Sequence, residues 1–238
     1  SPEWQRSSTK RSAAPSGSST PPAGDIVTSF LALTQAPDRS VHVEATGVAR
    51  FSGAEMTLES AYDIAGDDHR GSTTVETGAM GTWTVHSAVV DGMGYTSGNG
   101  TDWAGAQPAA PPQDPFRGLT ADDIEDAGPS DVNGTPGHLL RLRDPVEAFT
   151  RAMAVTSPQG VGALTTSSAG FDVLVDQQGR PVTATLVLRG TSDVAGEVEV
   201  DIDYTFRDWG AIAPIEPPID IPATPDPAAD LTVYNRVT

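Results

Sequence analysis

The sequence predicts an α+β fold built on one large antiparallel sheet, and three observations carry that prediction. The first is the stretch Gly196 to Gly210, GEVEVDIDYTFRDWG, in which Val198, Val200, Ile202, Tyr204 and Phe206 fall on one parity. Glu197, Glu199, Asp201, Asp203 and Thr205 fall on the other. A period of two sends the two sets to opposite faces of a strand, one buried and one wet. Burying five such apolar side chains at about 1.5–3 kcal/mol each contributes on the order of 10 kcal/mol before chain entropy is subtracted. The second observation is that further alternating or β-branched stretches recur along the chain, separated by turn sequences. The third is their succession: strand follows strand without the βαβ alternation that builds a parallel sheet.

Taken in order, residues 1–24 are rich in Ser, Pro and Ala and nearly free of large apolar groups, so they read as a disordered tether. Asp25 to Gln35 (DIVTSFLALTQ) starts with an N-cap residue and spaces Ile26, Phe30 and Leu33 as a helix lying on a sheet does. Val41 to Phe51 alternates Val41, Val43, Ala45, Gly47, Ala49 and Phe51 against a polar set, and Met56, Leu58, Tyr62 and Ile64 return as its antiparallel partner. Strands are also expected at His69–Thr77, Thr82–Asp91, Thr135–Arg143, Phe171–Val175 and Val182–Leu188. Ser97-Gly98-Asn99-Gly100 is a turn and Gln107 to Pro115 a proline-rich loop. Leu119 to Asp126 reads as a short acidic helix. A further helix starts at Asp144-Pro145-Val146-Glu147 and runs to Val155, with Val146, Phe149 and Met153 inward. The total is about eight or nine strands and two or three helices, in one domain at 25–222 with a tail at 223–238.

Composition narrows the function classes. The net charge is −18, from 32 acidic residues against 14 Lys and Arg, a field that repels phosphate backbones and argues against a nucleic-acid partner. Cysteine is absent, which removes disulfides, thiolate metal sites and a cysteine nucleophile. His42, His69, His86 and His138 lie in separate segments without metal-ligand spacing, and no nucleophile elbow, P-loop or dinucleotide glycine pattern occurs. Asp201 and Asp203 share a face at i, i+2, a spacing that a cation or an acid–base pair could use but that solubility and edge protection explain as well. No catalytic residue, metal site or cofactor is therefore expected, and the chain reads as a non-enzyme.

Several stretches together resemble one family. They are FLALTQ before VHVEATGV, VVDGMGYTSGNGTDW, DPFRGL, the hairpin FDVLVDQQGRPVTATLVLRG and the terminal YTFRDWGAIAPIEPP. In this order the chain is similar to the bacterial cell-envelope lipoproteins of the LppX/LprAFG type, whose half-barrel fold is related to the LolA/LolB lipoprotein carriers. The resemblance implies a large curved antiparallel sheet, a half-barrel, with helices on its concave face and an apolar cavity for acyl chains. It implies a lipid or acylated ligand, a possible envelope protein partner and an extracytoplasmic location at the outer face of the cell membrane. Attachment there would use an N-terminal lipid anchor, whose Cys is not in this sequence, which is expected to begin after it.

Within that resemblance Phe30, Ala45, Gly47, Ala49, Phe51, Tyr62, Ala184, Ile202 and Phe206 are the candidate cavity residues, the small ones leaving space beside the large ones. The same small residues fit equally under helices in a filled core, which would make the chain an extracytoplasmic interaction or sensor domain with a protein partner. Met93, Tyr95 and Trp103, set among glycines between Gly92 and Pro115, are candidates for a cavity gate, or alternatively for a hairpin and crossover loop packed on the sheet rim.

Overall fold

The alternating stretch at 196–207 becomes the strand that joins the two halves of the sheet. The computed structural model of the protein describes residues 23–78, 81–108, 116, 118–132, 134–148, 150, 164–193 and 195–218. A single open sheet of eleven strands runs through them. Its strands are β1 (Ser40–Phe51), β2 (Ala54–Ala65), β3 (Asp68–Thr77), β4 (Gly81–Val90), β5 (Met93–Ser97) and β6 (Ala104–Pro108), followed by β7 (Ile124–Val132), β8 (Thr135–Leu142), β9 (Leu164–Asp176), β10 (Pro181–Ser192) and β11 (Gly196–Arg207). The spatial order is β6-β5-β4-β3-β2-β1-β11-β10-β9-β8-β7, with every pair antiparallel.

Each half is thus a meander of neighbours in sequence, and only the β1–β11 seam is non-local. An open antiparallel sheet of this size is consistent with a half-barrel, because twist accumulates across so many strands. The connection from β6 to β7 has to pass from one edge to the other. On it, Phe116 packs against Phe206 of β11 and against Phe30, with ring centroids 5.4 and 5.2 Å apart.

Register confirms the parity read from the sequence. Val43 lies opposite Phe206, Ala45 opposite Tyr204, Gly47 opposite Ile202 and Phe51 opposite Val198. Val198 and Phe206 are buried, whereas Glu197 and Asp203 are exposed and Glu199 and Asp201 partly so. The acids on that outer face are met by arginines from the flanking strands. Arg189 grips Asp201 with two bonds of 2.9 and 3.1 Å, and Arg50 reaches Glu55 at 2.9 Å.

The helix α1 (Ala23–Thr34) starts two positions before the expected N-cap at Asp25. Ile26 and Phe30 are buried as the spacing predicts, but the third member of the stripe is Thr34, not Leu33. The Thr34 hydroxyl donates to the Phe30 carbonyl at 2.9 Å, which makes a polar residue acceptable there. The β9–β10 turn abuts this helix so closely that a Cβ on Gly179 would lie 2.8 Å from the Phe30 nitrogen, at a φ of +81°.

Two expectations are corrected. The acidic helix at 119–126 is only a 3-10 turn, Ala121–Asp123, before β7 begins. The Asp123 carboxylate accepts from the Thr120 amide and hydroxyl, both at 2.8 Å, which caps a single turn. Ile124 then pairs with Leu142, and the strand takes Pro129 because it is an edge. The strands number eleven among the described residues, not eight or nine, since Met93–Ser97 pairs with β4 and the expected loop from Gln107 begins as the end of β6. The helix start at 144 forms: the amide of Glu147 donates to Asp144 Oδ1 at 3.0 Å and residues 145–148 are helical. Of its expected continuation to Val155, Thr150 is helical, and Phe149 and residues 151–155 lie outside the described residues, as do residues 1–22 and 219–238.

Candidate functional site

A cavity of about 430 Å³ lies against the inner side of the β11-β1-β2-β3 segment. The register shows how the sequence builds it. Along β1, Val41, Val43 and Ala45 face it in alternation, and their partners are Phe206 and Tyr204 on one side and Ile64, Tyr62 and Ser60 on the other. His69 and Thr73 of β3 continue the wall beyond Ile64 and Ser60. Thr34 and Arg39, at and after the end of α1, together with Leu58, Phe116, Ile202 and Trp209, complete the lining. Trp209 is held by a 2.9 Å bond from its indole N–H to the carbonyl of Pro181.

Ala45 is the residue that makes room. It sits between Tyr204 and Ser60 on adjoining strands, buried but too small to fill the layer between them. Gly47, one step along, opens nothing. A Cβ there would be 2.6 Å from the Asp201 carbonyl and 2.9 Å from Cγ1 of Ile202, so the Ile202 side chain already occupies that ground. Gly71 plays the same part for Tyr62, whose ring carbon would lie 2.6 Å from a Cβ on that glycine. An aromatic ring laid over a strand glycine is a recurrent way of protecting it.

Apolar side chains form most of the surface, and no residue lining the cavity is a carboxylate, although the chain as a whole carries a charge of −18. The acids were segregated by parity onto the opposite face. The polar groups present are largely satisfied: Thr73 Oγ1 lies 2.8 Å from Tyr62 Oη and 2.9 Å from Ser60 Oγ, and an Arg39 guanidinium nitrogen donates to the carbonyl of Thr34. Burial pushes Tyr204 up to about 12, so its phenol stays protonated. Burial also holds His69 below the ordinary imidazole range, outweighing the opposing pull of Asp68, so the ring is neutral at pH 7.

Of the nine residues proposed for a cavity, Ala45, Tyr62, Ile202 and Phe206 line this one. Phe30 and Ala184 lie in the buried core beside it, and Gly47, Ala49 and Phe51 lie on the β1 parity that faces inward, outside the lining. Met93, Tyr95 and Trp103 do not line it. Met93 and Tyr95 stand opposite Val90 and Ala88, on the parity of β4 that faces away from His69. Trp103 folds back onto that same outer side, its indole N–H donating to Gly100 O at 3.2 Å and the Arg70 guanidinium lying 5.3 Å over its ring.

Sequence reasoning missed His69, Thr73, Ser60 and Tyr204 as lining residues. The signal was available in the hairpin pairing, which carries the level of Val41 and Ala45 across β2 to β3, but it needs the register of two successive turns.

No protein-family model and no curated protein matches the chain. Among solved structures it is similar to the Mycobacterium tuberculosis lipoprotein LppX, at 14% identity over 82% of this chain and 98% of that one, with a TM-score of 0.48. The fold resembles the LppX/LolA type. A LolA superfamily protein from Nitrosomonas europaea is similar at 11% identity, over 80% of this chain and 94% of that one, with a TM-score of 0.30. An outer membrane lipoprotein-sorting protein domain from Vibrio parahaemolyticus is similar at 8% identity, over 82% and 94%, with a TM-score of 0.28. No described helix of this chain is long and apolar enough to cross a membrane.

Proposed function

We propose that this protein is a non-enzymatic cell-envelope protein that binds or carries a lipid or acyl group in the cavity beside β1. In this reading the sheet is a half-barrel and α1 lies on its concave side. The observation that carries the proposal is the cavity itself. Its volume, about 430 Å³, falls within the roughly 300–1,000 Å³ typical of small-molecule sites, and its wall is mainly apolar with a few placed polar groups. A domain serving only as an interaction surface gains nothing from such a space, since unfilled volume in a core costs stability. The Ser- and Pro-rich residues 1–24 suit a tether between the domain and a membrane, and an extracytoplasmic, lipid-anchored location belongs to the same reading.

The test is displacement of a solvatochromic apolar dye by a long-chain lipid. Wild-type protein is expected to bind the dye and release it to the lipid. Ala45→Phe, which fills the cavity from within, is expected to weaken lipid binding by at least about tenfold. Val48→Phe, on the opposite face of the same strand, is expected to leave it unchanged. Absence of binding by the wild type, or equal binding by a folded Ala45→Phe, overturns the proposal.

A further inference from the structure

Building on the reading of the cavity as a lipid site, we propose that its ligand is an amphiphile with an anionic head, a carboxylate or a phosphate, held against the Arg39 guanidinium. Among the described residues that line the cavity, Arg39 alone brings a permanent charge, and none is a carboxylate. Burial holds His69 neutral at pH 7 and keeps the Tyr204 phenol protonated, so neither adds a second charge. The hydroxyls of Ser60 and Tyr62, 2.9 and 2.8 Å from Thr73 Oγ1, serve one another. The register places the one charge at one end. Arg39 stands just before β1, and the inward residues of that strand step away from it, with Val41 level with Ile64, Val43 with Tyr62, Ala45 with Ser60 and Gly47 with Leu58. Leu58 and Ile202, both opposite Gly47, form the lining furthest along the strand, and they are purely aliphatic. Val41 to Gly47 is about 20 Å at roughly 3.3 Å per residue. The chamber thus runs from a cation to a hydrocarbon end, the polarity of an acyl chain with an acidic head.

Arg39 is launched from a fixed backbone. Its amide donates to the Ala36 carbonyl at 3.2 Å, and its own carbonyl accepts from the Gly66 amide at 2.7 Å. Its guanidinium donates to the carbonyl of Thr34, the last residue of α1, and the side chain has further partners too. A guanidinium carries five N–H donors and stays charged whatever it holds, so it can serve several acceptors at once. An anion set into an apolar wall is stable only beside such a partner, and arginine grips carboxylates and phosphates with paired, charge-assisted bonds. A neutral head gains less there, and a cationic one is repelled. The net charge of −18 works against any anion, but it comes from acids outside the lining, and at physiological salt their field fades over about 8 Å. Arginine at the last carbonyls of a helix also complements the negative end of that helix, a purely structural role that the test has to separate.

The experiment uses four probes with a sixteen-carbon chain: palmitate, monohexadecyl phosphate, 1-hexadecanol and hexadecyltrimethylammonium. Each displaces the apolar dye from the full chain at slightly alkaline pH and physiological salt, below its micelle concentration. The wild type is expected to bind at least one of the two anions about tenfold more tightly than the alcohol, and the cation most weakly. Which anion binds tighter tells a carboxylate head from a phosphate. Arg39→Gln is expected to lose the preference, binding anion and alcohol alike. Arg39→Lys, which keeps the charge but not the fork, is expected to keep part of it. If a variant does not fold, the wild-type comparison of the four probes decides by itself. Wild-type affinity for the alcohol or the cation that equals or exceeds that for both anions overturns this inference and leaves the lipid-binding reading standing. So does an undiminished anion preference in a folded Arg39→Gln, which would confine Arg39 to holding the end of α1. Failure to bind any of the four overturns both.

Discussion

His69 links the cavity to solution pH. Its pKa is lower in the folded protein than the ordinary value of 6.5, because burial disfavours the charged ring. The unfolded chain therefore takes up the proton first as pH falls, and the stability supplied by the neutral ring, fully present above pH 6.5, is lost progressively below it. Chemical denaturation across that range, comparing wild type with His69→Gln, is expected to show a shallower acid decline in the variant. Identical slopes would mean that His69 titrates alike in both states. How much of the site was legible depended on this scale too. Ala45 could be read as a space-maker because its neighbours on both sides are large or polar residues at known strand positions. Gly47 looked equivalent and is not, because Ile202 leans over it, and side-chain lean across a strand pair is not written in a pattern of small and large residues. The place of His69 could not be read, since a polar residue in a polar stretch gives no sign of the aromatic ring packed beside it.

At the level of elements, the stability of α1 rests on a few contacts that a periodicity foretold. Phe30 is 1% exposed and meets Phe116 edge-on, so Phe30→Ala is expected to cost about 3–5 kcal/mol in denaturant melts. A loss below about 1 kcal/mol would mean that the helix does not depend on that ring. Gly179 is bound to α1 by a closer constraint. A methyl group there collides with the helix backbone at a φ of +81°, so Gly179→Ala is expected to destabilise by more than about 1 kcal/mol, where a turn free of the helix would show less. The outer face behaves differently. Asp201 and Arg189 are each more than a third exposed or nearly so, and Asp201→Asn is expected to cost under about 1 kcal/mol despite the two-bond geometry, with the difference shrinking in high salt. Strands β1, β2 and β11 and the helix α1 were legible because each carries an alternation or a helical stripe, whereas the first half of β9, residues 164–170, is too polar to show one. The strands β5, β6 and β7 were not, because β5 and β6 are short and β7 contains Gly128 and Pro129, tolerated only by its place at the sheet edge.

The whole molecule follows from where the two meanders meet. Strands β1 and β11, first and last among the described residues, pair at the middle of the sheet, so their inner parity lies at its centre and their acids on its outer face. That segregation leaves the wall of the cavity without carboxylates, and Ala45 between Tyr204 and Ser60 leaves it unfilled at one level. A negatively charged protein thereby acquires a mainly apolar chamber free of carboxylates, the kind of space that the proposed carrier of acyl chains needs. The most direct measurement is native mass spectrometry of the protein purified from its own host, followed by denaturation and lipid extraction. The account predicts a mass adduct of a lipid in the wild type, released on unfolding and absent from Ala45→Phe. A wild-type protein found only at its bare mass, including after incubation with lipid extract of the host, would contradict it.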